Sequence, residues 1–124
     1  MSWKFTGEKP VYQQIMDHIR GDIMRGELCV GARIPAVREL AMIANVNPNT
    51  MQRALTELER EGILVCCGTM GRFVTSNEAV LEGARRSARL EAAKHCADLL
   101  AAFGMTLQDA AALLNEEETV CALL

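Results

Sequence analysis

One stretch decides the fold of this chain: NVNPNTMQRALTELERE, residues 45–61. It predicts a short polar turn followed by an amphipathic helix, because its apolar residues recur at three- and four-residue steps. Pro48 suits the first helical turn, where its missing N–H is not needed, and Asn47 before it is a suitable N-cap. The inward side of the helix is formed by Met51, Ala54, Leu55 and Leu58.

The outward side carries amides, a hydroxyl and a guanidinium, which are groups that hydrogen-bond base edges. They belong to Asn49, Gln52, Arg53 and Thr56. Acidic residues crowd the far end at Glu57, Glu59 and Glu61, so only the first two turns suit a polyanion. The first turns are also the part that a recognition helix presents to the major groove of DNA.

Two further helices are predicted before this stretch. The first spans about residues 11–25, with Tyr12 and Ile15 on its apolar stripe, and Gly26 is placed to end it. The second lies in AVRELAMIANV, residues 36–46. A polar turn joins it to the recognition helix, so the pair makes a helix-turn-helix.

Residues 63–76, ILVCCGTMGRFVTS, predict a β-hairpin with its turn at residues 68–71. A hairpin after a helix-turn-helix is a wing, and its glycine tip can come close to a phosphate backbone. Because two strands alone are marginal, we expect the hairpin to lie on the three helices. The segment CVGARIP, residues 29–35, is expected to be a turn that leads to the second helix.

The last part of the chain is rich in alanine, leucine and charge. High helix propensity and the absence of proline predict one long helix over about residues 78–103. Thr106 and Asp109 have nearly the spacing of a capping box, which begins another helix over about residues 107–115 or on to the C-terminus. We therefore predict a mainly α fold, with a winged helix-turn-helix domain over residues 1–76 and a two-helix dimerisation segment over residues 77–124.

The distribution of charge supports this division. Residues 1–76 hold nine Lys/Arg and eight Asp/Glu, a net charge of +1, whereas residues 77–124 hold four and eight, a net charge of −4. A polyanion would meet the first part, which leaves dimer formation or ligand sensing to the second.

Composition excludes several other classes of protein. The five cysteines include no CxxC pair, so they predict free thiols or small apolar fillers, with no metal and no cofactor. No apolar run approaches a membrane span, and MSWKFTGEKP, residues 1–10, lacks the core of a signal peptide. We expect a cytoplasmic protein. No nucleophile–base pair, metal-ligand cluster or phosphate loop appears, which argues against an enzyme.

Several motifs together resemble one family. PAVRELA (35–41), VNPNT (46–50) and LEREG (58–62) are similar to the winged-helix domain of GntR-type bacterial transcription regulators. The short tail with GMTLQDAAALL (104–114) resembles the YtrA-like subfamily. The resemblance implies a homodimer that binds a pseudo-palindromic, double-stranded DNA operator. It also implies regulation, usually repression, of a nearby operon that often encodes transport functions.

Positions that match the family pattern carry the implied DNA contacts. These are Arg38, Asn47, Asn49, Thr50, Gln52, Arg53, the wing-tip residues Gly68, Thr69, Met70 and Gly71, and Arg72. The implied dimer interface consists of Leu81, Ala84, Ala88, Leu99, Leu100, Phe103, Leu107, Leu113 and Leu114.

Two positions depart from the family pattern. Gln52 stands where most of the wider family has arginine, which favours an amide-to-adenine contact over guanine recognition. Met70 stands at the wing tip in place of a residue that is often small or polar, so an apolar contact with a sugar replaces a hydrogen bond.

Less specific interpretations stay open. Arg38 could simply pair with neighbours of Glu39 on the surface of its helix. Gln52 and Arg53 could merely solvate their helix, and Arg72 could be idle. The winged helix could instead be a protein–protein module without DNA binding. An unknown small-molecule effector is a further possible partner, although a tail of this length encloses a pocket only if two subunits build it. Thiol sensing by a cysteine is also open.

Overall fold

The computed structural model describes residues 3–123, with side chains over residues 3–116. Helices α1 (Val11–Met24), α2 (Val37–Ala44) and α3 (Pro48–Arg60) come first, followed by strands β1 (Leu64–Cys66) and β2 (Arg72–Val74). Helices α4 (Glu78–Ala102) and α5 (Leu107–Leu123) follow. The predicted mainly α fold, a winged helix-turn-helix with a two-helix tail, is confirmed.

Local sequence signals fix both ends of α3. The Asn47 side chain accepts a hydrogen bond from the Asn49 backbone N–H at 2.8 Å, which makes Asn47 the N-cap, and Pro48 occupies the first helical position. At the other end Gly62 has a φ of 81°, and the Ile63 N–H donates to the Leu58 carbonyl at 3.0 Å. This hydrogen bond closes the helix in the way that a left-handed glycine permits.

The core of the first domain forms where α1, α2 and α3 meet. The four predicted inward residues of α3 are all buried, as is Ile15 of α1. Helix α2 contributes its own buried stripe. Outside the core, Arg20 of α1 donates a hydrogen bond to Glu61 at the end of α3, with 2.6 Å between Nη2 and Oε2. Burial of apolar surface therefore fixes which side of α3 stays exposed.

The wing contains more pairing than the sequence predicts. Strands β1 and β2 are antiparallel, with Val65 opposite Phe73. On the outer edge of β2, Arg33 bridges Phe73, the Ile34 N–H donates to the Arg72 carbonyl at 3.0 Å, and the Val74 N–H donates to the Ala32 carbonyl at 2.8 Å. The segment before α2 thus covers the edge of the hairpin, instead of forming only a turn.

The tip of the wing differs in detail from the predicted turn. Residues Gly68–Met70 form a single turn of 3-10 helix, in which the Met70 N–H donates to the Cys67 carbonyl at 3.0 Å. The Cys67 N–H donates to the Gly71 carbonyl at 2.9 Å and closes the loop. The tip is therefore held by its own backbone hydrogen bonds.

The chain divides into two compact units, the first ending at Arg85 and the second beginning at Arg86. The first unit includes the beginning of α4. Leu81 is only 2% exposed and belongs to the core, and half-buried Val80 and Ala84 pack against that core. The prediction that Leu81 lies in a dimer interface is wrong, because its side chain is buried within its own subunit. The division at residue 76 stays a prediction about function, since the compact unit extends into α4.

The predicted capping box begins α5. The Thr106 N–H donates to Asp109 Oδ2 at 2.9 Å, and the Asp109 N–H donates to Thr106 Oγ1 at 3.1 Å. The hydrogen bond from the Thr106 backbone, followed by the one with its side chain, lowers the pKa of Asp109 below the ordinary value.

Within residues 3–123 no single helix is long and apolar enough to cross a membrane. Helices α4 and α5 reach the length and composition of a span only when they are joined across their bend.

Candidate nucleic-acid interface

The exposed side of α3 carries the polar groups that the sequence predicted. Asn49, Gln52, Arg53 and Thr56 are all exposed, whereas Thr50 is half-buried. Asn47 is exposed too, but its side-chain oxygen Oδ1 accepts the capping hydrogen bond from Asn49. Its side-chain NH₂ group is therefore what it can offer to DNA. The N-terminal half of α3 therefore presents amides and a guanidinium to solvent.

Gln52 is held in one orientation by its neighbour. Its Nε2 donates to Thr56 Oγ1 at 3.1 Å, one helical turn along α3. An amide has two N–H donors and a carbonyl acceptor, so one N–H and Oε1 stay available. Those two groups are what an amide uses in a bidentate contact with adenine. The hydrogen bond to Thr56 thus orders the side chain without exhausting it.

Arg53 stacks on α1. The central carbon of its guanidinium lies 3.8 Å from the centre of the Tyr12 ring, within the range of a cation–π contact. Gln13 Nε2 in turn donates to the Tyr12 hydroxyl at 3.2 Å. The contact fixes the guanidinium against the first turn of α1 and leaves its N–H edges to hydrogen-bond an anion.

Arg38 is exposed in the first turn of α2. Among the described side chains no acidic group lies within ion-pair distance of it. The alternative interpretation, that Arg38 pairs with acidic neighbours on its helix, is therefore not what the structure has. A guanidinium without a counterion at this place suits a phosphate or a base edge.

The wing brings together exposed tip residues and one neutralised arginine. Gly68, Thr69 and Met70 are exposed, with Met70 at 67%. Arg72 is half-buried, and its Nε bonds Glu59 of α3. Of the predicted wing contacts, the tip is accessible and Arg72 is already paired within the protein.

Sequence reasoning missed two residues at this surface. The half-buried ring of Tyr12 packs against the core, as its place on the apolar stripe of α1 predicts, but the stripe does not predict that the ring also carries the Arg53 guanidinium. The turn predicted over residues 29–35 includes Arg33, yet its side chain lies beside the wing tip: a Cβ on Gly71 would stand 3.1 Å from Arg33 Nε. No local signal indicates this position, because it depends on the bridge between Arg33 and Phe73.

The candidate dimer residues of the second unit are mostly exposed. Phe103 is 76% exposed, and four leucines expose more than half of their surface, whereas Leu100 and Ala88 are half-buried. The four leucines are Leu99, Leu107, Leu113 and Leu114. So much exposed apolar surface is typical of a surface that binds another protein.

Metal-ligating residues and cysteines were the other groups that the sequence offered. No group of three or more His, Cys, Asp or Glu residues in the described part of the chain could hold a metal ion. Cys29, Cys66, Cys67 and Cys96 are free and exposed, so of the two predicted alternatives the structure has free thiols and not apolar fillers at these positions. Cys121 lies outside the described side chains.

Three helices, an edge-covered wing and an open polar face on the third helix define a winged-helix DNA-binding protein. The family model of bacterial regulatory proteins, gntR family, matches residues 11–74, just over half of the chain. The chain belongs to this family of transcriptional regulators, and it is not an enzyme. The resemblance seen in the sequence motifs is confirmed.

Curated relatives agree with this assignment. The chain is 39% identical over 82 residues to the HTH-type transcriptional regulator YhcF of Bacillus subtilis, an alignment that covers 66% of this chain and 68% of YhcF. It is 40% identical over 68 residues to the HTH-type transcriptional repressor YtrA of the same bacterium, covering 55% of this chain and 52% of YtrA.

Solved structures show the same fold. A GntR family transcriptional regulator from Listeria monocytogenes superposes with a TM-score of 0.80 at 28% identity, covering 90% of this chain and 98% of that one. The DNA-binding domain of AraR, in complex with operator ORX1, superposes with a TM-score of 0.56 at 26% identity, covering 60% of this chain and 96% of that one.

Proposed function

We propose that this protein is a repressor that binds a pseudo-palindromic operator as a homodimer. The observation that carries the proposal is the exposed side of α3, where Asn49, Gln52 and Arg53 lie free of acidic partners while the acidic residues gather at the other end. The AraR domain is similar in fold and is bound to an operator, and YtrA is named a repressor.

Charge at this surface supports a phosphate-binding role. Arg38 on α2 and Arg53 on α3 are exposed, and each lacks an acidic partner within residues 3–116. In contrast, Arg60 at the far end of α3 pairs with Glu57 at 3.2 Å. The uncompensated cations therefore belong to the part of the helix-turn-helix that would face DNA.

Dimer formation is supported by the apolar surface of the second unit. Phe103, Leu107 and Leu114 are each more than half exposed on a chain that is half apolar. A dimer would cover this surface, double the number of phosphate contacts and fix the distance between half-sites. An operator with two similar half-sites follows from such symmetry.

Location and regulation complete the proposal. A regulator of chromosomal genes acts in the cytoplasm, which is where we place this protein. The cleft beside Leu81 and Ala84 has room for only about one water molecule, roughly 10 Å³, so it is too small for a small-molecule effector. The effector site that we expect is one built by two subunits, because a tail of this length is too short to enclose a pocket alone.

A gel-shift titration with the duplex upstream of the protein's own gene tests the DNA-binding part. Arg38→Ala and Arg53→Ala should each weaken the specific complex about tenfold or more, because each removes a charge-assisted contact from every subunit. Arg60→Ala, on the same helix but paired with Glu57, is the matched control and should bind like the wild type. Unchanged affinity of both variants, with a scrambled duplex as reference, would show that the surface is misassigned.

A further inference from the structure

We infer that Arg33 supplies the wing's contact with the DNA backbone, in the place that the sequence pattern gives to Arg72. The inference rests on the proposed function, since it needs the wing to lie against DNA. It adds a phosphate-binding residue from the segment before α2, a part of the chain that sequence reasoning treated as a turn.

The hairpin has one charged side chain within residues 63–76, that of Arg72. Its Nε bonds Glu59 of α3, and the two side chains are 19% and 27% exposed. A phosphate could use Arg72 only by separating this half-buried pair, which would leave Glu59 without its partner beside a polyanion. Arg72 therefore holds the wing to α3, and the hairpin has no uncompensated positive charge of its own.

Arg33 is held at the wing by its backbone. It forms an isolated β-bridge with Phe73, so it lies along the outer edge of β2. The residue is exposed, and within residues 3–116 its side chain has no hydrogen bond or ion pair. Arg33 is thus an uncompensated guanidinium fixed to the wing by its backbone.

Gly71 leaves room for the Arg33 guanidinium. A Cβ at this position would lie 3.1 Å from Arg33 Nε and 3.5 Å from its Nη2, so the absence of a side chain lets the guanidinium lie against the wing backbone. The residue has a φ of 102°, which side chains rarely adopt. Gly71 directly follows the tip, Gly68–Met70, so the charge of Arg33 lies where a wing that enters a groove meets phosphates.

Phosphate is the ligand that this arrangement suits. A guanidinium offers several N–H donors in a planar fork that matches phosphate oxygens, and it stays charged at any physiological pH. The contact carries no base information, so it should add affinity and salt dependence on all sequences alike.

Titration of the full-length protein with its operator duplex at several salt concentrations tests the inference. Arg33→Ala should lower the slope of log affinity against log salt by about 1.8 for a dimer, because each lost phosphate contact removes about 0.9. At about 100 mM salt this corresponds to an affinity loss on the order of 10- to 100-fold. The ratio of affinities for specific and scrambled duplexes should stay constant, and Arg33→Lys should keep the slope.

The double variant Arg72→Gln/Glu59→Gln is the matched comparison, because it removes the paired charges of β2 and α3 without leaving Glu59 unpaired beside DNA. It should lower the melting temperature and leave the salt slope as in the wild type. If Arg33→Ala folds like the wild type and keeps its salt slope, or if Arg72→Gln/Glu59→Gln is the variant that loses slope, the inference is overturned. A wild-type protein that binds no duplex overturns the proposed function itself, which makes the two failures distinguishable.

Discussion

Single side chains decide what the recognition surface can do. Arg53 was predicted to face the groove, and its guanidinium stacks 3.8 Å from the centre of the Tyr12 ring. A stacked guanidinium keeps its in-plane N–H donors but loses conformational freedom. Stacking on Tyr12 therefore lowers the entropic cost of a contact made by Arg53. Gln52 is ordered in a similar way by its hydrogen bond to Thr56, which leaves the groups that the proposed contact with a base edge would use.

Tyr12→Leu should weaken operator binding by about two- to fivefold, since a cation–π contact at an exposed site is worth about 0.5–1 kcal/mol. Tyr12→Phe should bind like the wild type, because it retains the ring. In an Arg53→Ala background, Tyr12→Leu should have no further effect if Tyr12 acts through Arg53. Equal losses in both backgrounds, measured by fluorescence anisotropy, would instead make Tyr12 an independent DNA contact.

Secondary-structure elements show which parts of the fold the sequence determines locally. The ends of α3 were predictable because Asn47, Pro48 and Gly62 act within one helical turn of their own positions. The bridge at Arg33 was not, because it depends on hydrogen bonds to β2, about 40 residues further along the chain. A segment of three paired residues has too little alternation to be recognised before its partner is known.

The candidate site divides along the same line. Exposure of Asn49, Gln52 and Arg53 followed from the helical period, which local sequence reveals. The pairing of Arg72 with Glu59 and the stacking of Arg53 on Tyr12 join different elements, so spacing along the sequence could not reveal them.

Helix α4 contributes its first turns to the core of the DNA-binding unit. Leu81→Ala should therefore lower the free energy of unfolding by about 2–5 kcal/mol, since it removes a fully buried side chain and leaves a cavity. Ser87→Ala, at an exposed position of the same helix, should change it by less than about 0.5 kcal/mol. Urea unfolding followed by circular dichroism measures both, and equal midpoints would contradict the burial of Leu81.

At the scale of the whole molecule, the proposed function requires a second copy of the chain. A first unit with a net charge near zero offers a monomer few phosphate contacts, and a dimer doubles them. The tail's exposed Phe103 and leucines are the surface that we expect to join the copies.

Phe103→Glu should raise the dissociation constant of the dimer about tenfold or more, because association would bury a charge without a partner. Light scattering during gel filtration should then show a shift towards the monomer mass of 13.6 kDa. Gln108→Glu adds the same charge at an exposed polar position of α5 and should leave the mass unchanged. A wild-type chain that elutes as a monomer at micromolar concentration would remove the proposed dimer.

The wing is not a self-contained module. Residues 32–34 pair with the outer edge of β2, and the one charged side chain of the hairpin, Arg72, is bonded to Glu59 of α3. A chimera that received only residues 63–76 would gain the hairpin's shape but no free positive charge, and one edge of β2 would be left uncovered. Exchange of wings between regulators of this kind should therefore transplant the segment before α2 together with the hairpin.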